Sequence, residues 1–160
     1  MAASAMTYYF AYGSNMDATR MRARELRVSD AVSGRLSGFG LRFNKRSRHN
    51  PTWACANIVY ARDEQVEGVL YQLADHGEIA KLDPHEGTPV YYSREYFLIE
   101  VAEGLRPAWT YVANPASIDN QLLPARWYLE HLLAGRTFLS DEYYARLVAT
   151  PCLEETDGRW

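Results

Sequence analysis

The stretch YFAYGSNM, residues 9–16, places small and polar side chains directly after an apolar, aromatic run. If that run is a strand and a helix follows it, backbone N–H groups at the start of the helix have no partner within the helix. Gly13 lets the backbone come close to a ligand, and free N–H groups of this kind bind anions such as a carboxylate. The stretch therefore indicates an anion-binding loop; the alternative is a tight turn with a helix cap.

A second stretch with the means to do chemistry is LDPHEGTPVYY, residues 82–92. Glu86 ends a short predicted helix or turn just before Gly87, among apolar and aromatic residues that would raise its pKa if they bury it. A carboxylate held in such a pocket is suited to moving protons. The alternative is a surface glutamate at a helix end. His85 is expected to point away, because adjacent helical residues do not share a face.

The elements that must position these residues follow from the apolar pattern. Alternating, β-branched and aromatic runs predict strands, while periodic apolar spacing and capping residues predict helices. A polar turn, RDEQ, is expected at 62–65, and strand breaks are expected at Gly38 and Gly40. The predicted strands are 7–12, 31–39, 40–45, 54–61, 66–73, 95–101 and 107–113, and the predicted helices are 17–26, 75–83, 124–136 and 140–149. The order predicts an α+β fold with antiparallel or mixed strands.

Two charged stretches accompany these elements. Ser14 or Asn15 is expected to cap helix 17–26, whose RMRAREL segment is interpreted as a solvated face. The basic stretch RFNKRSRHN, residues 42–50, is expected to be a flexible loop at the pocket rim, able to close over substrate or bind its acidic end. A nucleic-acid patch is the less favoured alternative, because the whole chain is acidic.

Composition limits the class of protein. The 160 residues, 48% of them hydrophobic, suit one domain over 1–160 with tail-like ends at 1–6 and 150–160. The net charge of -3 gives no general basic field for nucleic acid, and no apolar run approaches the length of a membrane span. We expect a cytoplasmic monomer or homodimer. Cys55 and Cys152 show no metal-like spacing, and reduced thiols are favoured over a disulfide.

Four motifs together resemble the γ-glutamylcyclotransferase family, over roughly residues 7–148. They are YFAYGSNM, LDPHEG, the YY at 91–92 and the downstream TYVA. The resemblance implies a small mixed, mostly antiparallel β-barrel with flanking helices. It also implies a reaction without cofactor or metal, in which the α-amine of a γ-glutamyl group attacks its own γ-carbonyl. The products are 5-oxoproline and a free amine or amino acid, and YGSN leans toward the γ-glutamyl amino acid branch.

The resemblance also assigns residues. Glu86 matches the catalytic glutamate, as a general acid and base. One position departs from the family: an ungapped match puts Arg126 where a substrate-contacting tyrosine is usual, and Tyr128 is the competing candidate. An arginine there would favour a leaving group with a carboxylate or phosphate. The residues matched to the substrate-binding loop and pocket are Tyr12, Gly13, Ser14, Asn15, Tyr92 and Tyr111.

Two other functions stay open at the level of sequence. A non-catalytic module that binds a small molecule could keep the same fold, since fold does not imply function. A γ-glutamyl hydrolase would use water in place of the amine and would release glutamate. The presence of Gly13, Ser14, Asn15 and Glu86 together favours the cyclotransferase.

Overall fold

The computed structural model describes residues 6–154. Most of the expected tail over 1–6, and residues 155–160 of the expected tail over 150–160, lie outside the described residues. The strands are β1 (Thr7–Ala11), β2 (Val28–Arg46), β3 (Ala54–Leu73), β4 (Tyr92–Val101) and β5 (Gly104–Ala113). The helices are α1 (Ala18–Ala23), α2 (Asp83–Glu86), α3 (Arg126–Leu133) and α4 (Asp141–Val148), with 3-10 turns at Ser14–Met16, Glu78–Lys81, Pro115–Ser117 and Arg136–Phe138.

The five strands close into a barrel in the order β1-β3-β2-β4-β5. β1 and β5 pair in parallel, with Tyr9 opposite Trp109, and the other neighbours are antiparallel. Inward side chains such as Phe10 and Ile99 are fully buried and fill the core. The predicted α+β fold, a mixed and mostly antiparallel barrel with flanking helices, is confirmed.

The predicted strand breaks are wrong in two places. β2 runs through Gly38 and Gly40 as one strand, and β3 runs through the polar segment 62–65 as one strand. The ladder between them shifts register between Ser37 and Phe39, where Gly38 has a φ of 84°. The irregularity bends the pair without ending it, as a β-bulge does. Residues 62–65 are polar because they are exposed, and this polarity led to the prediction of a turn.

The start of α1 differs from the expectation in its cap. Asp17, not Ser14 or Asn15, is the N-cap residue, and its Oδ1 accepts a hydrogen bond of 2.9 Å from the N–H of Thr19. Residues Ser14–Met16 form a separate 3-10 turn ahead of the helix. The side chain of Asn15 is thereby left to point into the protein, where it is buried.

The predicted helix 75–83 is a 3-10 turn at Glu78–Lys81 followed by the short helix α2. Gly87 ends α2 in the left-handed region, with φ 65° and ψ 35°. Glu78 is buried and accepts hydrogen bonds from the backbone N–H of Arg27 at 2.8 Å and from Lys81 Nζ at 2.9 Å. This carboxylate ties the segment that carries α2 to the segment that follows α1.

The two C-terminal helices, α3 and α4, lie within the predicted ranges 124–136 and 140–149, and each is shorter than predicted. Ser140 caps α4 by accepting a hydrogen bond from the N–H of Tyr143. Part of the expected C-terminal tail is ordered: the N–H of Leu153 donates to the carbonyl of Pro124, and the N–H of Arg126 donates to the carbonyl of Leu153. Cys55 and Cys152 are free thiols. No helix among residues 6–154 is long and apolar enough to span a membrane.

Candidate active site

The loop after β1 and the end of α2 meet at one buried side chain. Asn15 Nδ2 lies 3.3 Å from Glu86 Oε1 and also donates a hydrogen bond of 3.0 Å to the hydroxyl of Tyr9. The two sequence stretches singled out for chemistry, 9–16 and 82–92, are therefore in contact in the fold.

The backbone of the loop is held by its own hydrogen bonds and by the barrel. The N–H of Met16 donates to the carbonyl of Gly13 at 3.0 Å, and the hydroxyl of Tyr71 donates to the carbonyl of Asn15 at 2.7 Å. Gly13 has φ -112° and ψ -140°, so it does not require the left-handed region. A Cβ on Gly13 would lie 3.3 Å from the hydroxyl of Tyr128 and 3.3 Å from Cβ of Ala56. Glycine is needed here for space rather than for φ.

Glu86 is the acidic group of the site. Its side chain is 17% exposed. Burial raises the pKa of its carboxyl above the ordinary value, and the positive charges of Arg24 and Arg20 partly offset this effect. A buried carboxyl whose pKa is raised above its ordinary value is better suited to take up and release a proton than an exposed one.

Arg24 is a site residue that the sequence analysis missed. Its side chain is 8% exposed, and its Nη1 lies 3.5 Å from Glu86 Oε1 and 2.9 Å from Asn15 Oδ1. The solvated face expected for RMRAREL is therefore wrong for this residue, and it is also wrong for Arg20, which is buried. The signal was present, because positions 20 and 24 are four apart and share one side of a helix.

Tyr12, Tyr92 and Tyr111 all line the same cavity, as the resemblance implies. The hydroxyl of Tyr92 donates to the carbonyl of Ala56 at 2.7 Å, and that of Tyr111 donates to Asp83 Oδ1 at 2.7 Å. The hydroxyl of Tyr12 donates to the carbonyl of Tyr111. Burial raises the pKa of each phenol, so all three stay neutral at pH 7.

Arg126 does not reach this cavity. Its guanidinium pairs with Glu154 at 2.9 Å on the surface, at the first position of α3. Tyr128, two residues on, is buried and lines the cavity, and its hydroxyl accepts a hydrogen bond of 2.9 Å from the N–H of Ala56. The two residues point to different sides of the helix: Tyr128 lines the cavity and is the candidate for the pocket, whereas Arg126 lies outside the cavity.

Two cavities meet at Glu86. The first has a volume of about 30 Å³ and is lined by the loop, Glu86 and five tyrosines: Tyr9, Tyr12, Tyr92, Tyr111 and Tyr128, with Gly13, Ser14, Asn15 and Ala56. The second has a volume of about 20 Å³ and is lined by Arg24, Lys45, Arg48, His49, His85, Ser14, Cys55, Glu86, Tyr92 and Tyr128. Three basic residues of the stretch 42–50 thus lie at the site: Lys45, Arg48 and His49. The predicted flexible loop is wrong for residues 42–46, which belong to β2.

The chemistry available here is proton transfer beside neutral hydrogen-bond donors. Within residues 6–154 no group of three His, Cys, Asp or Glu side chains is arranged to hold a metal ion. Backbone N–H groups and neutral phenols can hold a carboxylate or a carbonyl oxygen, and Glu86 can exchange protons with a group placed against them.

The chain is similar to a known protein family and to several solved structures. The family model described as Gamma-glutamyl cyclotransferase, AIG2-like, matches residues 9–130. A solved structure named Gamma-glutamyl cyclotransferase has a TM-score of 0.80 at 24% identity, over 96% of this chain and 93% of that chain. The Homo sapiens protein loc79017 gives 0.80 at 24% identity, over 96% and 92%. A yeast γ-glutamyl cyclotransferase specific to glutathione gives 0.63 at 12% identity, over 91% and 95%.

At these identities the solved structures show a common fold. No curated protein matches the chain. The family model covers Tyr12, the loop 13–15, Glu86 and Tyr128, which together line the first cavity. The chain belongs to the AIG2-like γ-glutamyl cyclotransferase family.

Proposed function

We propose that the protein cyclises a γ-glutamyl amide to 5-oxoproline and releases the free amine or amino acid. The α-amine of the glutamyl group attacks its γ-carbonyl carbon and forms a new C–N bond. The old amide C–N bond then breaks. The attacking nitrogen loses one proton and the leaving nitrogen gains one, so the reaction needs no second substrate.

The observation that carries this proposal is the contact between Asn15 and Glu86. It puts a largely buried carboxyl of raised pKa beside the loop best suited to hold the glutamyl group. A single carboxyl at this place can accept the proton of the attacking amine and return it to the leaving nitrogen. Glu86 is therefore proposed as general base and then general acid.

The first cavity has a lining suited to the glutamyl portion, with the glycine loop and Glu86 on its walls. Holding the glutamyl chain in a folded shape brings the amine to its own carbonyl and supplies much of the acceleration of a ring closure. The backbone N–H groups of residues 13–15 are proposed to bind its α-carboxylate. Tyr12, Tyr92 and Tyr111 form the walls, with their hydroxyls anchored to protein acceptors.

Tyr128 is proposed to stabilise the oxygen that becomes negative during ring closure. Its hydroxyl oxygen accepts the N–H of Ala56 at 2.9 Å, which leaves its own proton free to be donated into the cavity. A fixed, neutral donor aimed at a developing oxyanion is among the strongest catalytic contributions that a protein makes.

The test is a screen of γ-glutamyl dipeptides and γ-glutamyl amines with chromatographic detection of products. We expect 5-oxoproline and free amine in equal amounts, without free glutamate. Glutamate in place of 5-oxoproline would assign a hydrolase. Binding of γ-glutamyl compounds by calorimetry without any product would assign a non-catalytic binding module.

A further inference from the structure

Lys45 carries a buried positive charge beside the second cavity. The residue is 3% exposed, and it lies near the end of β2, where the strand pairs it with Cys55. Among residues 6–154 its ammonium has no carboxylate partner and no hydrogen-bond acceptor; its neighbours are the rings of Tyr91 and Tyr92, each 5.1 Å from Nζ to the ring centroid. A buried charge without a partner is costly, and an anion beside it would offset that cost.

The groups around Lys45 do not neutralise it. Burial raises the pKa of the Cys55 thiol to about 12, so the thiol is uncharged at neutral pH. Glu86, the acidic residue lining this cavity, already pairs with Arg24 at 3.5 Å. Arg48 adds a further charge, and its Nη2 donates to the carbonyls of Pro84 and His85 at the end of α2. Arg24, Lys45 and Arg48 line the second cavity against one carboxyl, Glu86, so its lining carries an excess of positive charge even though burial lowers the pKa of the Lys45 ammonium.

The second cavity lies next to the position where the amide bond would break. It shares Ser14, Glu86, Tyr92 and Tyr128 with the first cavity, so a substrate whose glutamyl part fills the first extends past Glu86 into the second. The part of the substrate beyond the breaking bond is the leaving amine. The charge of the second cavity should thus determine which leaving amines the enzyme accepts.

We propose that Lys45 selects leaving amines that carry an anionic group, a carboxylate or a phosphate, close to the leaving nitrogen. This inference rests on the proposed cyclotransferase function and adds the substrate class. A neutral alkylamine would leave the ammonium of Lys45 unpaired, whereas the carboxylate of an amino acid would pair with it. Arg48 at the rim would assist by attracting the anion.

The experiment compares three substrates that differ only in the leaving amine: γ-glutamylalanine, γ-glutamylethylamide and γ-glutamyl-O-phosphoethanolamine. With the wild-type protein we expect kcat/KM for at least one anionic substrate to exceed that for the ethylamide by ~10-fold or more, the usual range for a hydrogen bond to a charged group. The alanine and phosphoethanolamine arms show whether a carboxylate or a phosphate is preferred. Equal kcat/KM for all three overturns the inference without need of a variant.

The variant is Lys45→Met, which keeps the length and packing of the side chain and removes its charge. We expect the ratio of kcat/KM for the anionic substrate to kcat/KM for the ethylamide to fall by ~10-fold. Lys45 also lowers the pKa of Glu86, but that effect is common to all three substrates and cancels in the ratio. The control is Arg46→Met, one residue along β2, whose exposed guanidinium lies 3.9 Å from Asp119 and outside both cavities. An equal loss on all three substrates in Lys45→Met would show that Lys45 holds the glutamyl group or supports the fold, and would overturn the inference.

A binding measurement separates this inference from the proposed function. Calorimetric titration of the Glu86→Gln protein with γ-glutamylalanine, γ-glutamylethylamide and γ-glutamyl-O-phosphoethanolamine measures affinity without turnover. Tighter binding of an anionic compound supports the anion site even if the wild-type protein forms no 5-oxoproline, in which case only the proposed reaction fails. Equal affinities for all three overturn the anion site whatever the product analysis shows.

Discussion

Asn15 joins the two halves of the candidate active site. Its amide donates to Glu86 Oε1 at 3.3 Å, and its Oδ1 accepts from Arg24 at 2.9 Å. One side chain thus fixes the carboxylate, its counter-ion and the backbone of the glycine loop relative to each other. Side chains that are hydrogen-bonded to each other before substrate binds need less rearrangement when it does.

Replacing Glu86 with Gln should nearly abolish turnover. The amide keeps the shape of the side chain but cannot carry the proton, so we expect kcat to fall by ~100-fold or more. Substrate affinity should change by only a few-fold, measured by calorimetry with γ-glutamylalanine. Glu103→Gln, at an exposed position of the β4–β5 turn, is the control. A Glu86→Gln protein that keeps most of its kcat would remove Glu86 from the proton-transfer step.

Arg24 should set the pH at which Glu86 works. Its charge lowers the pKa of the Glu86 carboxyl, which burial has raised. In Arg24→Met that pKa should rise further, so the base form is lost at a higher pH and the acidic limb of the kcat/KM profile moves upward in pH. We expect kcat/KM at pH 7 to fall by ~10-fold.

The matched control for Arg24 is Arg22→Met, on the exposed side of the same helix, where the guanidinium donates to Thr19 Oγ1 at 3.2 Å. Its profile should coincide with that of the wild-type protein. If the acidic limb of Arg24→Met also stays in place, the charge of Arg24 does not act on the titrating group.

Glu78 should stabilise the fold in a pH-dependent way. Burial alone would raise the pKa of this carboxyl, but hydrogen bonds from the backbone of Arg27 and from Lys81 outweigh burial and lower the pKa to about 2. A carboxyl with a pKa below its unfolded value of 4.5 stabilises the protein above pH 4.5, and this stabilisation is lost as the pH falls from 4.5 toward 2. Glu78→Gln should therefore lower the free energy of unfolding by ~2–3 kcal/mol at pH 7.

Urea unfolding at pH 7, 4 and 3 measures this difference. The gap between Glu78→Gln and the wild-type protein should narrow as the pH falls. Glu103, which is exposed, gives the matched Glu→Gln control and should show a small effect at every pH. A gap that stays constant between pH 7 and pH 3 would mean that the charge of Glu78 is not what stabilises the segment.

The features that depend on neighbouring residues along the chain could be predicted from the sequence. The loop 12–15 and Glu86 stand in contiguous motifs, so their types and their order were visible without a structure. The fold class followed from strand-like runs ahead of helical ones, and the resemblance supplied the barrel. The polar segment 62–65 was misjudged, because only its partner strand makes it part of β3.

Arg24 and Lys45 could not be assigned from the sequence in the same way. Both stand in basic stretches that are typical of solvated surface, and a charged side chain is rarely buried. Their burial depends on contacts with distant elements: Arg24 faces the end of α2, and Lys45 lies under the rings of Tyr91 and Tyr92. Arg126 was a candidate because an ungapped match ignores which side of α3 faces the cavity.

The last prediction concerns Gly13, where a side chain should damage function more than stability. The backbone of Gly13 has a φ of -112°, outside the left-handed region, but the added Cβ would lie 3.3 Å from Cβ of Ala56, so Gly13→Ala should lower the melting temperature by about 2–4 °C. Its Cβ would lie 3.3 Å from the hydroxyl of Tyr128, inside the space proposed for the glutamyl group. We expect kcat/KM to fall by ~10-fold or more.

Gly38→Ala serves as the control, because it should lower the stability without lowering the activity. Gly38 has a φ of +84° with no atom within 4 Å of the added Cβ, and it lies outside both cavities. Alanine there should cost ~1 kcal/mol, or about 2–4 °C in melting temperature, and leave kcat/KM unchanged. Melting temperature and kcat/KM, measured on the same preparations of both variants, separate loss of stability from loss of activity. A folded Gly13→Ala protein with the kcat/KM of the wild type would show that the Gly-Ser-Asn loop is only a turn, because the space beside Tyr128 would then not be needed by the substrate.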